Sequence, residues 1–340
     1  MHDSTISPLI KEKAPLILAE IKKANSILLH CHPSPDPDSV GSALAMKFVL
    51  EQMGKKATVI KGDSVIPQAF MHFPGAKDIV QKNFGEVNLK EFDLFIIVDT
   101  ASISQISRLQ SIQMPLTMMT IVIDHHPSNP GFADINLVEP VYPATSQILF
   151  DLFDLWKIDI TPDIAANLFM GIYTDTGGFK YPGTTVRTFN VAGELANIIP
   201  EFPRIISDME NSRTLAEIRF QALALSSIET FLDGQCGLSV ISNAALKEHN
   251  IAKIDIHGEQ IVQILRSVSD WKFSGILVEV EHGSVKMSLR SKDGEIYDVS
   301  KLAVALGGGG HKAAAGVTVD MTIDEAKKLV VAKAKELYNL

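Results

Sequence analysis

Three short apolar runs early in the chain each lead straight into side chains that can bind metal. Ser26–His30 (SILLH) leads within two residues to His32, Phe92–Val98 runs directly into Asp99, and Thr120–Ile123 into Asp124-His125-His126. Runs of this length, bounded by polar loops, are the size of buried strands and too short for buried helices. The segments between them are spaced differently. Pro8–Lys23, Ser39–Met53, Ala144–Trp156 and Asp163–Tyr173 repeat their apolar residues at helical intervals, with Gly54 at a C-terminal cap position and Thr161-Pro162 as a start signal. Ala57–Lys61 is a further strand candidate. Strands alternating with helices predict an α/β fold, a mostly parallel sheet with helices on both faces. In such sheets ligands gather at the carboxyl ends of the strands, where these polar residues fall.

Thr184–Gly234 is helical in pattern, lacks strand signals, and has no Gly/Ser/Pro run that would make it a flexible tether. From Gly237 the strand signals resume: Leu238–Ile241, a helix near Gly258–Val268, and paired strands Ser274–Val280 and Ser284–Arg290. After an Asp293-Gly294 turn come a helix to Leu306, a glycine run, a strand at Gly316–Val319 and a closing helix from Ile323. The expected organisation is a first domain over 1–195, a helical linker over 196–235 and a smaller mixed α/β domain over 236–340. A length of 340 residues is ordinary for two domains.

Charge narrows the class of partner. The net charge is −9, and from Cys236 onward 13 basic residues balance 13 acidic ones, so the whole deficit lies in the first 235 residues. An acidic first domain is a poor match for duplex DNA, which is gripped through many Lys/Arg–phosphate contacts. A short anionic ligand remains compatible if cations reverse the local field. Two cysteines exclude a disulfide scaffold and a Cys-rich zinc site. No apolar run reaches the ~18 residues of a membrane span, and the N-terminus has no apolar leader core, so the expected location is cytoplasmic, without a membrane partner.

Four loops hold the candidate chemistry. His32, Asp36 and Asp38 hang from a loop stiffened by Pro33, Pro35 and Pro37; Asp99 follows the second run; Asp124, His125 and His126 follow the third; Asp175 follows the helix over Asp163–Tyr173. Each has an ordinary reading. A lone Asp after a strand is usually a turn residue, and Asp38 or Ser39 would serve simply to cap the next helix. Four such loops on one sheet edge argue otherwise, because that many carboxylates cannot share a site ionised without cations. Carboxylate and imidazole donors without thiolate suit Mn²⁺, Mg²⁺, Co²⁺ or Zn²⁺. The donors suffice for two ions about 3.5–4 Å apart.

Near the C-terminus, Gly307 alone would end a helix; the further Gly308, Gly309 and Gly310, followed by His311, suggest backbone N–H groups approaching an anion. It is neither a dinucleotide fingerprint nor a Walker A loop. Arg290, at a strand end, is ordinarily solvated, but beside such a nest it becomes a candidate for bidentate phosphate recognition or base stacking.

These motifs together resemble the DHH phosphoesterases. The loop His32–Ser42 resembles their first motif, Val98-Asp99-Thr100 the second, Asp124-His125-His126 the third and Thr174-Asp175-Thr176-Gly177 the fourth. Ser288–Ser291 with Gly307–Gly316 looks like the associated C-terminal domain. The layout is most similar to the bacterial oligoribonuclease/3′-phosphoadenosine-5′-phosphate phosphatase branch. The resemblance implies that His32 and Asp36 bind one ion, that Asp38, His125 and Asp175 bind another, and that Asp99 bridges them. His126 would face the scissile phosphate and Asp124 would orient its neighbours; Arg290, Gly308, Gly309, Gly310 and His311 would hold substrate. Two Mn²⁺ ions, or Mg²⁺ or Co²⁺ in their place, would activate water in a cleft between the domains. The implied substrates are short single-stranded RNA, cut to 5′-mononucleotides, and the 3′-phosphate of 3′-phosphoadenosine-5′-phosphate. Linear or cyclic di-adenylate and polyphosphate fit the same chemistry. A non-catalytic nucleotide-binding module would be favoured by a lost Asp, and none is lost. A homodimer stays open.

Overall fold

A computed structural model describes residues 6–338 apart from 110, 111, 113, 115–117 and 182. The first five residues, part of the segment in which a leader was sought, lie outside this range. The chain divides into two compact units that meet at Ser212/Arg213. The segment expected as a linker is helical in the main and divided: helix Phe202–Glu210 belongs to the first unit and helix Leu215–Ser226 to the second.

Among the described residues the first unit has five strands: β1 (Ser26–His30), β2 (Lys56–Ile60), β3 (Leu94–Val98), β4 (Met119–Asp124) and β5 (Ile135–Val138). All are parallel, in the order β2-β1-β3-β4-β5. β5 carried no clear signal in the sequence. All five residues of β3 are buried, as required of a strand covered on both faces. Among the described residues this unit has six α-helices: α1 (Pro8–Lys23), α2 (Pro37–Gln52), α3 (Thr145–Leu155), α4 (Pro162–Asp175), α5 (Val186–Ile198) and α6 (Phe202–Glu210). α1 shows how they form: Ser7 caps its start, Pro8 opens it, and Ile10, Ala14, Ile17 and Ile21 make one buried stripe.

Strand order places the site. The connection from β1 runs to β2 on one side and that from β3 to β4 on the other, so the carboxyl ends of β1 and β3 flank a crevice at the point where the winding reverses. α2 starts two residues earlier than its spacing suggested. Its cap is Asp36, whose carboxylate accepts the Ser39 N–H at 2.9 Å, rather than Asp38 or Ser39.

The second unit opens with α7 (Leu215–Ser226) and holds a mixed six-stranded sheet: β6 (Ile228–Phe231), β7 (Cys236–Ile241), β8 (Phe273–Glu281), β9 (Ser284–Ser291), β10 (Gly309–His311) and β11 (Ala314–Val319), in the order β10-β11-β9-β8-β7-β6. α8 (Asn243–Glu248), α9 (Gly258–Arg266), α10 (Val299–Ala305) and α11 (Ile323–Tyr338) complete it. β6 lies in a stretch read from sequence as lacking strands. Its residues are half-buried or exposed at the sheet edge, so they show little apolar alternation. No helix among the described residues is long and apolar enough to cross a membrane.

Candidate metal centre

The carboxyl ends of β1, β3 and β4 and the end of α4 bring together the acidic and imidazole residues singled out in the sequence. Asp99 lies at the middle. Its Oδ2 is 3.8 Å from His32 Nε2, and its Oδ1 is 3.6 Å from His125 Nε2 and 3.8 Å from His126 Nδ1. The two oxygens of one buried carboxylate thus face different histidines. Around them three sets of donor atoms each fall within 4.8 Å of one another: His32, Asp36 and Asp99; Asp38, His125 and Asp175; Asp99, His125 and His126.

Local backbone explains several of these placements. Asp99 takes a left-handed conformation (φ 52°) as the chain leaves β3, and its N–H stays tied to the Ile123 carbonyl at 3.0 Å. Aspartate tolerates that region better than most side chains. Asp38 sits in the first turn of α2 and reaches the start of α3. It accepts the N–H groups of Thr145 at 2.7 Å and Ser146 at 3.0 Å, and a Ser42 hydroxyl at 3.3 Å. Two orphan helix-end donors are satisfied by an Asp more than 100 residues away. Asp124 binds His126 Nδ1 at 2.7 Å through Oδ1 and the Asn129 amide at 2.8 Å through Oδ2. This occupies Nδ1 of a ring that is about one-third exposed and leaves Nε2 for a ligand.

The electrostatics are those of an anion cluster. Burial, then Asp38, Asp36 and Asp175, hold the Asp99 carboxyl far above its ordinary range. Burial and the nearby Asp175 push Asp38 up to about 6. Burial would lower His125, but the Asp175 carboxylate beside its Nε2 and the charges of Asp38 and Asp124 outweigh it and push the imidazole up to about 9. His125 Nε2 is buried 3.1 Å from Asp175 Oδ2, yet too far off line to make a hydrogen bond. A buried ring nitrogen without a hydrogen bond, amid carboxylates that resist ionisation, fits a divalent cation as the missing partner. The donors are oxygen and nitrogen; Cys31 is buried, with its thiol pushed up to about 12, and offers no thiolate.

Supporting residues escaped the sequence reading. Thr145 donates its hydroxyl to Asp99 Oδ1 at 3.1 Å, and His125 Nδ1 lies 3.3 Å from the Tyr142 carbonyl. Tyr142 in turn donates its hydroxyl to Asp151, which also pairs with Arg187. Gly171, inside α4, had a visible signal, since glycine within a helix often marks a close approach. A Cβ there would fall 2.1 Å from Ser146 Oγ and 2.4 Å from Asp38 Oδ1. Gly171→Ala is expected to displace Asp38, cost about 1–3 kcal/mol of stability and weaken divalent-ion binding at least tenfold. Thermal melts and titration with Mn²⁺ check both.

The residues expected to grip substrate lie in the second unit. Arg290 on β9 pairs across the sheet with Ala314, and a surface cavity of about 520 Å³ is lined by Arg290, Lys286, Ser288, Gly308, Gly309 and Gly310. His311 is exposed at the end of β10 and is not part of that lining. The glycine run has more than one cause. Gly307 (φ 88°) ends α10, and Gly308 and Gly310 let β10 approach β11, where a Cβ would come within 2.3 and 2.5 Å of its backbone. Gly307 and Gly309 have open space where a Cβ would stand, so at Gly307 it is the left-handed backbone rather than crowding that favours glycine.

Residues 26–172 match the N-terminal domain of the DHH family, and residues 246–339 match the DHHA1 domain. Over 99% of this chain and 98% of its own, the bifunctional oligoribonuclease and PAP phosphatase NrnA of Thermus thermophilus is 30% identical. The chain belongs to the DHH family of phosphoesterases. Its relatives also include the protein of the same name in Bacillus subtilis, 25% identical over 92% of this chain and 95% of that one. An exopolyphosphatase-related protein from Bacteroides fragilis has the same fold, with a TM-score of 0.89 and 26% identity over 97% of each chain.

Proposed function

We propose that this phosphoesterase hydrolyses short oligoribonucleotides to 5′-mononucleotides and removes the 3′-phosphate of 3′-phosphoadenosine-5′-phosphate. The observation that carries the reading is Asp99, one buried carboxylate whose two oxygens face separate donor sets. Two divalent ions, Mn²⁺ foremost and Mg²⁺ or Co²⁺ as substitutes, would supply an acidified water and neutralise charge on the attacked phosphate. His32, Asp36 and Asp99 would hold one ion, and Asp38, Asp99, His125 and Asp175 the other. Asp124 and Asn129 fix the His126 ring so that its Nε2 meets a non-bridging phosphate oxygen. Arg290, the backbone at Gly308–Gly310 and His311 would bind the nucleotide rather than the ions.

The acidic first unit opposes further phosphates, which favours two to five nucleotides over long strands. The similarity to the two NrnA proteins supports the substrate class. The likeness to the exopolyphosphatase-related protein favours inorganic polyphosphate as the second reading. Turnover of 5′-labelled dinucleotide, 3′-phosphoadenosine-5′-phosphate, cyclic di-adenylate and polyphosphate with Mn²⁺, with and without EDTA, tests the proposal. Preference for polyphosphate, or EDTA-resistant turnover, overturns it. Arg290→Ala is expected to raise KM for dinucleotide about tenfold or more with metal content by mass spectrometry unchanged. Loss of metal would remove Arg290 from the substrate grip.

A further inference from the structure

A row of aromatic rings runs from the core of the first unit to its surface just past Asp175. Phe169, 3% exposed, stacks on Tyr173 with centroids 6.1 Å apart; Tyr173 meets Phe179 edge-on at 5.9 Å; Phe179 stacks on Phe189 at 5.1 Å. Phe189 is 55% exposed although its ring rests on Phe179. Tyr181, 40% exposed, lies over Gly177, where a Cβ would fall 2.5 Å from the ring. Gly177 is two residues from Asp175, so this ring is seated on the loop that carries a metal-facing carboxylate.

The loop is held rigidly. Gly177, Gly178 and Phe179 are all left-handed, and Thr176 ties it down by accepting the Phe179 N–H on its hydroxyl and the Lys180 and Tyr181 N–H groups on its carbonyl. A bulky residue at positive φ is uncommon, yet this turn aims Phe179 at Phe189. Lys180, exposed, stands between the two rings in sequence. Exposed rings with a cation beside them in sequence, on the segment that follows Asp175, have the composition of a single-strand nucleic-acid platform.

We propose that Tyr181 and Phe189 stack a nucleobase of the bound oligonucleotide, with Lys180 beside its phosphate; this rests on the oligoribonuclease reading above. The test uses the full chain, a 5′-phosphorylated di-adenylate, and the same diester with the second base removed. Tyr181→Ala and Phe189→Ala are expected to lower kcat/KM for the di-adenylate about tenfold, a loss at least fivefold greater than on the base-free diester. Tyr181→Phe, which keeps the ring, should restore the difference. Equal losses on both substrates, or no loss, overturn the proposal. A dinucleotide containing 2-aminopurine gives a readout without turnover: its fluorescence should be quenched on binding EDTA-treated protein, and less so by either alanine variant. If wild type hydrolyses no oligonucleotide but this ring-dependent quenching persists, the functional reading fails and the platform stands. If turnover is normal and both readouts ignore the rings, the platform fails alone. A shift from dimer to monomer in Phe189→Ala by light scattering, with matched losses on both substrates, would make this face a contact between copies and overturn the proposal.

Discussion

Asp99→Ala is expected to lower turnover on every phosphoester substrate by on the order of a thousandfold, since the several kcal/mol of charge stabilisation from the ions would be lost. Asp99 is the one carboxylate with an oxygen towards each donor set, so its removal disturbs both at once. Misfolding is not the expected cause. Relief of the crowding from Asp38, Asp36 and Asp175 works against the roughly 1–2 kcal/mol that alanine costs at this left-handed position, and thermal melts of the metal-free variant keep folding apart from turnover. Asp99→Asn makes the companion variant, because asparagine also tolerates the left-handed backbone at φ 52°. Near-normal turnover with two ions bound per chain would remove Asp99 from the bridging role. Asp36 calls for the opposite control: it both caps α2 and faces His32, and Asp36→Asn keeps the cap while weakening the donor.

Arg187→Met is expected to cost about 3–5 kcal/mol of stability, the penalty for leaving a buried charge without its partner. Asp151 is fully buried within α3, where it takes the Arg187 guanidinium and the Tyr142 hydroxyl at 2.5 Å. Removing the cation strands a carboxylate beneath the loop whose Tyr142 carbonyl meets His125. The double variant Arg187→Met/Asp151→Leu should recover most of the loss, since two apolar groups replace a pair that needed each other. Urea denaturation of the single and double variants checks both. An additive loss would mean that the pair is not coupled.

The parallel sheet and the cluster of donors at its edge were legible because their signal is local: a short apolar run, then an Asp or His. What supports the centre was not. Thr145 reaches Asp99 and Arg187 reaches Asp151 across 46 and 36 positions, and neither residue type has any spacing that announces its partner. The cap of α2 falls at Asp36 rather than at Asp38 or Ser39 because proline at the first helical position moves the start of the helix earlier than its apolar spacing shows. The glycines near 308 invited an explanation by anion binding. Two of them are required in any case by the approach of β10 to β11, a contact no sequence pattern displays.

One feature of the centre bears on the order in which the molecule is made. Its donors span His32 to Asp175, and the groups that steady them, from Ser42 to Thr145 and Ser146, all fall before Ser212, where the first unit ends. Chains fold from the N-terminus as they are synthesised, at roughly 5–20 residues per second, so Arg213–Leu340 takes on the order of ten seconds to follow. Throughout that interval the nascent first unit already has everything needed to gather its carboxylates and to load cations. The ions proposed above could therefore be taken up before Arg213–Leu340 is made, and would steady the first unit against its own repulsion.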